Sequence, residues 1–183
     1  LKLINAVPEM EIEEWLESVT FQELLDMRLD KHEEDIVDVT DMADKELKIE
    51  TDKREIVDKW FSAELMFKTW KDRGVPNLTG YGLLVDELDE AVMLVQTFLT
   101  MKAVAPFREE TQDLLKQLSE TADVIDRWVK VQQMWCSLES VFMGGDIAKQ
   151  MPLEAKKFQG IDKNWLKIMG KAEDTKNVVE CCS

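Results

Sequence analysis

The sequence is poor in the side chains that commonly carry chemistry, with one histidine, one tyrosine and three cysteines among 183 residues. His32 is followed by carboxylates at positions 33–35, but consecutive helical residues point to different faces, which favours a solvated surface over a metal site. The adjacent Cys181 and Cys182 lack the second ligand pair that a structural zinc site requires, and the small cysteine number favours a reducing compartment. The sequence therefore predicts no catalytic residue, no metal and no cofactor.

Glycine and proline are also scarce, with seven and four residues, so long helices can continue without interruption. No apolar run reaches the ~20 residues that a membrane-spanning helix needs, and no signal peptide is visible. Because the chain opens at Leu1 rather than at methionine, we expect it to be one fragment, residues 1–183, of a longer polypeptide.

Positive charge is in deficit. The formal net charge is −15, of which residues 1–60 contribute −11. An acidic chain repels phosphate groups, so the composition argues against nucleic-acid and anionic-membrane partners. A solvated acidic surface is the ordinary interpretation, and docking to a basic protein surface is compatible with it.

Apolar residues recur at helical spacing along most of the chain. Thr20 and Glu23 form a capping-box pattern that predicts a short helix from Phe21 to about Leu29. Longer helices are predicted to follow, ending near Trp60, then over 83–103, from Pro106 to Phe142 and from Pro152 onward. Three apolar stripes support them: Ile36, Val39, Ala43 and Leu47; Trp128, Trp135 and Phe142; and Phe158, Ile161, Trp165, Ile168, Ala172 and Val179. The fold class is predicted to be all-α, an elongated antiparallel helical bundle.

Between residues 61 and 79 the periodicity changes. Ala63, Leu65 and Phe67 alternate with polar residues, and Asp72-Arg73-Gly74 is typical of a turn. A short β-hairpin is predicted here, and the alternative is a helix that continues to Trp70.

Gly144 and Gly145 lie between long predicted helices and are a possible hinge. Asp146 is predicted to cap the short helical turn that follows.

Asp86, Asp89 and Glu90 have the spacing of a helical Mg²⁺ site, but no second acidic cluster with a basic partner accompanies them. The acidic first turn of a helix is the ordinary interpretation of these three residues. Gly74 and Gly80 lack the Lys-Ser/Thr pair of a phosphate-binding loop.

Several separate blocks resemble the linker region of dynein heavy chains, the segment that precedes the AAA+ ring. They are WVKVQQMW at 128–135, LESVF at 138–142, GDI at 145–147, QMP at 150–152, EAKKF at 154–158 and IDKNW at 161–165, with ELL at 23–25, HEEDI at 32–36 and residues 96–101 upstream. The resemblance covers nearly all of residues 21–183. The sequence of residues 143–146 is similar to that of axonemal heavy chains, in particular the outer-arm gamma type.

The resemblance implies a non-catalytic mechanical segment that transmits ATP-driven changes in the ring to the tail for microtubule-based movement. Its implied partners are the AAA+ ring of the same heavy chain and, indirectly, the dynein complex and microtubules. Its implied location is the cytoplasm and the cytoskeleton of the ciliary or flagellar axoneme. Two alternatives stay open from the residues alone: a generic helical scaffold, and an acidic-helix Mg²⁺-dependent enzyme.

Overall fold

The computed structural model of the protein describes residues 12–143 and 146–183, most of which are helical. The helices are α1 (Ile12–Ser18), α2 (Phe21–Asp26), α3 (Glu33–Ser62), α4 (Tyr81–Thr100), α5 (Arg108–Phe142), α6 (Ile147–Gln150), α7 (Pro152–Thr175) and α8 (Val178–Cys181). Short 3-10 turns cover Leu29–His32, Lys71–Arg73 and Lys102–Phe107. The strands β1 (Met66–Trp70) and β2 (Val75–Thr79) form an antiparallel hairpin. The predicted all-α bundle with a short hairpin is confirmed, and the alternative helix through Trp70 is wrong.

The chain divides into two compact units, Leu1–Glu50 and Thr51–Ser183. In the first unit the predicted capping box is present: Thr20 Oγ1 accepts from the Glu23 amide at 3.3 Å, and Glu23 Oε2 accepts from the Thr20 amide at 2.7 Å. The short helix ends at Asp26 rather than near Leu29. It cannot continue because Arg28 takes a left-handed conformation, with φ of 49°.

The predicted apolar stripe at the start of α3 is not buried. Val39 and Leu47 are exposed, at 58% and 62%, and Ala43 is also exposed. Periodicity identified the helix correctly, but it cannot show whether a facing element covers the stripe.

In the second unit α4 packs against α5. Their shared core contains side chains that are at most 5% exposed: Leu88, Val95, Phe98, Leu114, Leu118 and Ile125. Pro106 lies inside the 3-10 turn that connects the two helices, so its predicted place in the first turn of α5 was wrong. Within the described ranges, no helix is both long and apolar enough to cross a membrane.

A second apolar cluster holds the hairpin against α5 and α7. Its buried members are Val75, Trp135, Phe158, Trp165 and Met169, and the partly buried Phe67, Trp70, Trp128, Cys136 and Phe142 pack around them. The seven-residue spacing of Trp128, Trp135 and Phe142 therefore belongs to the core. Each large side chain that is fully buried here contributes about 1.5–3 kcal/mol.

The last predicted helix is interrupted. α7 ends at Thr175, Lys176 takes a φ of 49°, and Asn177 caps the separate helix α8, which contains Val179. The buried stripe of α7 also differs from the predicted one, because Ile161 and Ile168 are 52% and 56% exposed whereas Asp162 and Met169 are buried.

Candidate functional site

A bidentate ion pair between the hairpin and the helices joins Arg73 to Asp162 of α7. The Arg73 guanidinium donates two hydrogen bonds to the two carboxylate oxygens, at 3.0 and 2.8 Å. Gly74 makes this placement possible, since its φ of 71° turns the chain directly after Arg73 into β2. Trp135 Nε1 donates to the same carboxylate at 3.1 Å, so Asp162 accepts three hydrogen bonds while only 8% exposed.

The second buried carboxylate of the site is Glu139 of α5, which is 3% exposed. Its Oε2 accepts from Lys71 Nζ at 2.6 Å and from Trp70 Nε1 at 3.0 Å. Its Oε1 lies 3.8 Å from an Arg73 nitrogen, which places Arg73 between the two carboxylates. We call Lys71, Arg73, Glu139 and Asp162 the charged clamp.

Electrostatics favours the ionised forms of Arg73, Glu139 and Asp162. The hydrogen bonds from Arg73 outweigh the effect of burial and hold the pKa of Asp162 below its ordinary value. Burial by itself would raise the pKa of Glu139, but hydrogen bonds from Lys71 and Trp70, together with the nearby positive charges, leave it lowered. The same contact with Asp162 raises the pKa of Arg73. Both carboxylates are therefore paired anions, which makes them unsuitable as proton donors at neutral pH.

Aromatic rings form the wall behind these charges. Trp135 stacks on Trp165 with ring centroids 5.8 Å apart, and Trp70 meets Trp135 edge-on at 6.4 Å. The Arg73 guanidinium lies 5.9 Å from the Trp135 ring, a distance that permits a cation–π contact. The rings exclude water from one side of the ion pairs and fix the geometry of the clamp.

A neutral contact holds the other strand of the hairpin. Gln132 of α5 accepts from the Leu78 amide at 2.8 Å and donates to the Leu78 carbonyl at 2.9 Å. Gln132 is 6% exposed, so it replaces a neighbouring strand for these two backbone groups. One helical turn further on, Cys136 accepts from Asn77 Nδ2 at 3.2 Å, and burial raises the pKa of its thiol. Cys136 is therefore an inert, half-buried group.

Asn177 makes a third connection, between the end of α3 and the start of α8. Its side-chain amide donates to the carbonyls of Phe61 and Ala63, at 2.9 and 3.4 Å, and its carbonyl accepts from the Glu180 amide at 2.9 Å. A single antiparallel bridge between Glu64 and Asn177 lies beside it.

These contacts hold the hairpin against α5 and α7, and the end of α3 against the start of α8. Within the described ranges, no group of three or more His, Cys, Asp or Glu side chains is placed to hold a metal ion. Asp86, Asp89 and Glu90 are all exposed on α4. The helix begins at Tyr81, so these residues lie beyond its first turn, and their interpretation as acidic first-turn residues was wrong.

The remaining predicted residues lie away from the charged clamp or outside the described ranges. Gly144 and Gly145 are outside the described residues. Asp146 makes no capping hydrogen bond and pairs instead with Lys149 at 2.8 Å. His32 lies 3.7 Å from Asp35, an exposed contact on the protein surface.

Sequence reasoning missed the charged clamp, although a signal for it exists. Gln132 and Glu139 fall on the same face of α5 as Trp128, Trp135 and Phe142, and Asp162 lies between Phe158 and Trp165 on α7. A polar residue inside an apolar helical stripe indicates a buried hydrogen-bonding partner. The stripe cannot identify Arg73 and Lys71 as those partners.

Comparison with a family model and with individual known proteins gives the same family. Residues 2–183 match the family model described as dynein heavy chain, N-terminal region 2. The chain is 38% identical over 168 residues to human dynein axonemal heavy chain 8, an overlap that covers 91% of this chain and 4% of that protein. It is 37% identical over 168 residues to dynein axonemal heavy chain 5 of Rattus norvegicus, covering 91% of this chain and 5% of the relative.

A third relative is the dynein gamma chain, flagellar outer arm, of Chlamydomonas reinhardtii. It is 40% identical over 163 residues, covering 88% of this chain and 4% of the relative. The chain thus spans only 4% to 5% of the length of the relatives that it matches.

Proposed function

Because the chain belongs to the dynein heavy chain family, as its N-terminal region 2, we propose that it is a non-catalytic mechanical segment of a dynein motor. In this role it forms part of the linker and transmits ATP-driven changes in the AAA+ ring of the same heavy chain to the tail. The observation that supports this role most directly is the charged clamp, which joins a hairpin to two long helices through buried ion pairs.

A force-transmitting part must resist bending at its joints. α5 has 35 residues and is therefore about 52 Å long. A single helix of that length would curve and fray, whereas α5 packs along α4 and α7. The charged clamp and the Gln132 contact then fix the hairpin to one end of α5, so that these elements move together.

Gly144 and Gly145 remain our proposed hinge. α5 ends at Phe142 and α6 begins at Ile147, so both glycines lie in the connection between two helices. Substituting both with alanine would narrow the backbone freedom of this connection. If linker bending and motor stepping are unchanged in that variant, the hinge is elsewhere.

The relatives are named axonemal, ciliary or flagellar, and we propose the same setting for this chain, in a dynein complex that acts on microtubules. The generic scaffold alternative draws support from apolar side chains on the outer faces of α5 and α7, where Met134, Ile161 and Ile168 are more than half exposed. These residues are also compatible with a linker, which must contact other parts of its own heavy chain.

The test of the mechanical role separates ATP turnover from movement. In the complete heavy chain, Arg73→Ala is expected to retain ATP hydrolysis while microtubule gliding slows, because the clamp no longer fixes the hairpin. The matched control is Arg127→Ala, which removes an arginine with a side chain that is 78% exposed. If Arg73→Ala lowers hydrolysis and gliding in proportion, or alters neither, the clamp does not couple the two.

A further inference from the structure

The hairpin has one edge that is covered and one that is open. The amide and carbonyl of Leu78 both hydrogen-bond to the Gln132 side chain of α5. These two backbone groups therefore point away from β1. In the antiparallel register Phe67 lies opposite Leu78. Residues directly opposite each other either bond to one another or both point outward, so the amide and carbonyl of Phe67 point away from β2.

Two further observations give the same orientation. The Leu65 amide donates to the Lys176 carbonyl at 2.7 Å, on the side of the chain away from β2. Backbone groups two residues apart along a strand point the same way, so Leu65, Phe67 and Thr69 share this outer edge. Thr69 lies opposite Pro76, whose missing amide suits a position that does not bond across the hairpin.

The outer edge is used at one end only. Lys176 and Asn177 cover it beside Glu64 and Leu65. Further along, no group within residues 12–143 and 146–183 bonds the amides or carbonyls of Phe67 and Thr69. Thr69 is exposed, and so is the neighbouring Lys68. Four backbone groups are thus available to a further strand.

We propose that an extended acidic segment of the same heavy chain, outside these 183 residues, pairs with the outer edge of β1 as a third strand. Lys68 lies between Phe67 and Thr69 and makes no ion pair with any described residue. A residue of the incoming strand that lies opposite Lys68 would be within side-chain reach, and a carboxylate there would be stabilised.

The same lysine argues against a second copy of the chain as the occupant. Antiparallel pairing of two β1 edges, with Phe67 of one opposite Thr69 of the other, places the two Lys68 side chains directly opposite each other. Like charges in that position are destabilising. An edge lysine is a common protection against pairing with identical strands, but it does not oppose an acidic strand.

The size of the edge favours a segment of the same polypeptide over a separate protein. Two residues with four backbone groups are far less than the contact area of a stable interface between separate molecules. A tethered segment acts at an effective concentration of roughly millimolar, at which a small contact suffices. The relatives continue far beyond the matched region, which is 4% to 5% of their length. This inference rests on family membership and on the hairpin geometry, and not on the mechanical role.

Hydrogen exchange resolved to single amides in the complete heavy chain tests the pairing. The Phe67 and Thr69 amides are expected to exchange at least tenfold more slowly in the unmodified chain than in Lys68→Glu. The Trp70 amide, which bonds across the hairpin, is expected to exchange equally in both, which reports an intact hairpin. Thr69→Pro removes one outward amide and is expected to release Phe67 as well. Unprotected Phe67 and Thr69 amides in the unmodified chain, or Phe67 protection that persists in both variants, would overturn the proposal.

Carbodiimide coupling, which joins an amine to a contacting carboxylate, identifies the occupant. Lys68 is expected to couple to an Asp or Glu of the same heavy chain outside these 183 residues, and Lys68→Arg to abolish that product. The exposed Lys130–Asp126 pair, 2.6 Å apart, serves as the positive control. If that pair couples and Lys68 does not, or if Lys68 couples to another polypeptide or a second copy, the proposed occupant is wrong.

Discussion

Arg73 and Asp162 are 89 positions apart in the sequence, yet their side chains meet through two hydrogen bonds of 3.0 and 2.8 Å, one to each carboxylate oxygen. The pair joins the turn of the hairpin to the middle of α7, and Glu139 of α5 lies 3.8 Å from the same guanidinium. One arginine thus connects the hairpin with both α5 and α7.

The first prediction concerns the arginine itself. Arg73→Ala is expected to lower the free energy of unfolding by about 3 kcal/mol, because it leaves the Asp162 carboxylate buried without its cation. The double variant Arg73→Ala/Asp162→Asn should recover part of the loss, because the neutral amide removes the buried charge while its oxygen can still accept from Trp135 Nε1. Urea unfolding measures both values. Equal losses in the single and double variants would mean that the charge on Asp162 is not what destabilises Arg73→Ala.

A second prediction concerns pH. The pKa values of Glu139 and Asp162 are lowered from the ordinary values of 4.5 and 3.8. At acidic pH, near these pKa values, the folded state therefore binds fewer protons than the unfolded state. The stability that these groups contribute is fully present above about pH 4.5 and is lost as the pH falls through their lowered folded-state values.

A variant of Glu139 tests its share of this pH dependence. Glu139→Gln should flatten the acid limb of a plot of unfolding free energy against pH, measured by urea unfolding from pH 7 down to pH 3. Glu110→Gln is the matched control, because Glu110 pairs with Lys53 at 2.6 Å but is 76% exposed. An acid limb that is unchanged by Glu139→Gln would show that other carboxylates cause it.

The third prediction tests the neutral contact. Gln132→Ala leaves the amide and carbonyl of Leu78 without partners in a buried position, and the expected cost is about 1–3 kcal/mol. Hydrogen exchange at the Leu78 amide should accelerate in this variant. Gln133→Ala, one position along α5 and exposed, should leave that exchange rate unchanged. Acceleration of the same size in both variants would argue against a specific role for Gln132.

The fourth prediction compares two glycines with positive φ. Gly74, with φ of 71°, has open space where a Cβ would stand, so Gly74→Ala should cost only the conformational penalty of about 1 kcal/mol. At Gly80, with φ of 67°, a Cβ would also collide with the Met66 methyl group. That methyl group ends a flexible side chain that is 61% exposed and can move aside, so Gly80→Ala should cost only slightly more than Gly74→Ala in thermal unfolding.

Met66 provides the control for that comparison. Its side chain is 61% exposed and can be shortened at little cost to the core. In a Met66→Ala background, Gly80→Ala should cost no more than Gly74→Ala. A persistent difference would place the strain in the backbone rather than in the collision.

Much of the fold could be predicted from local patterns. The Thr20 capping box, the hairpin ending at Thr79 and the core seam of α5 all depend on residues close together in sequence. Local rules failed at Lys176, where a residue other than glycine adopts a positive φ and separates α8 from α7. Asn177 is a favoured N-cap residue, but that preference alone does not predict a positive φ at Lys176. The contacts of Asn177 with Phe61 and Ala63 stabilise the break from a distant part of the chain.

The candidate site was less predictable than the fold. Glu139 and Asp162 could have been singled out as polar residues on apolar stripes, but Lys71 and Arg73 look like ordinary turn residues. Their partners lie 68 and 89 positions away. Only the packing of the hairpin against α5 and α7 brings them together.

The hydrogen bond from Asn177 to Phe61 closes a circuit of 116 positions. Fraying that starts at α8 cannot pass Lys176 without also releasing Ala63 and Leu65, the residues that lead into β1. Unfolding of α8 therefore also destabilises the hairpin. The elements between Phe61 and Asn177 should unfold in a single cooperative step rather than one helix at a time.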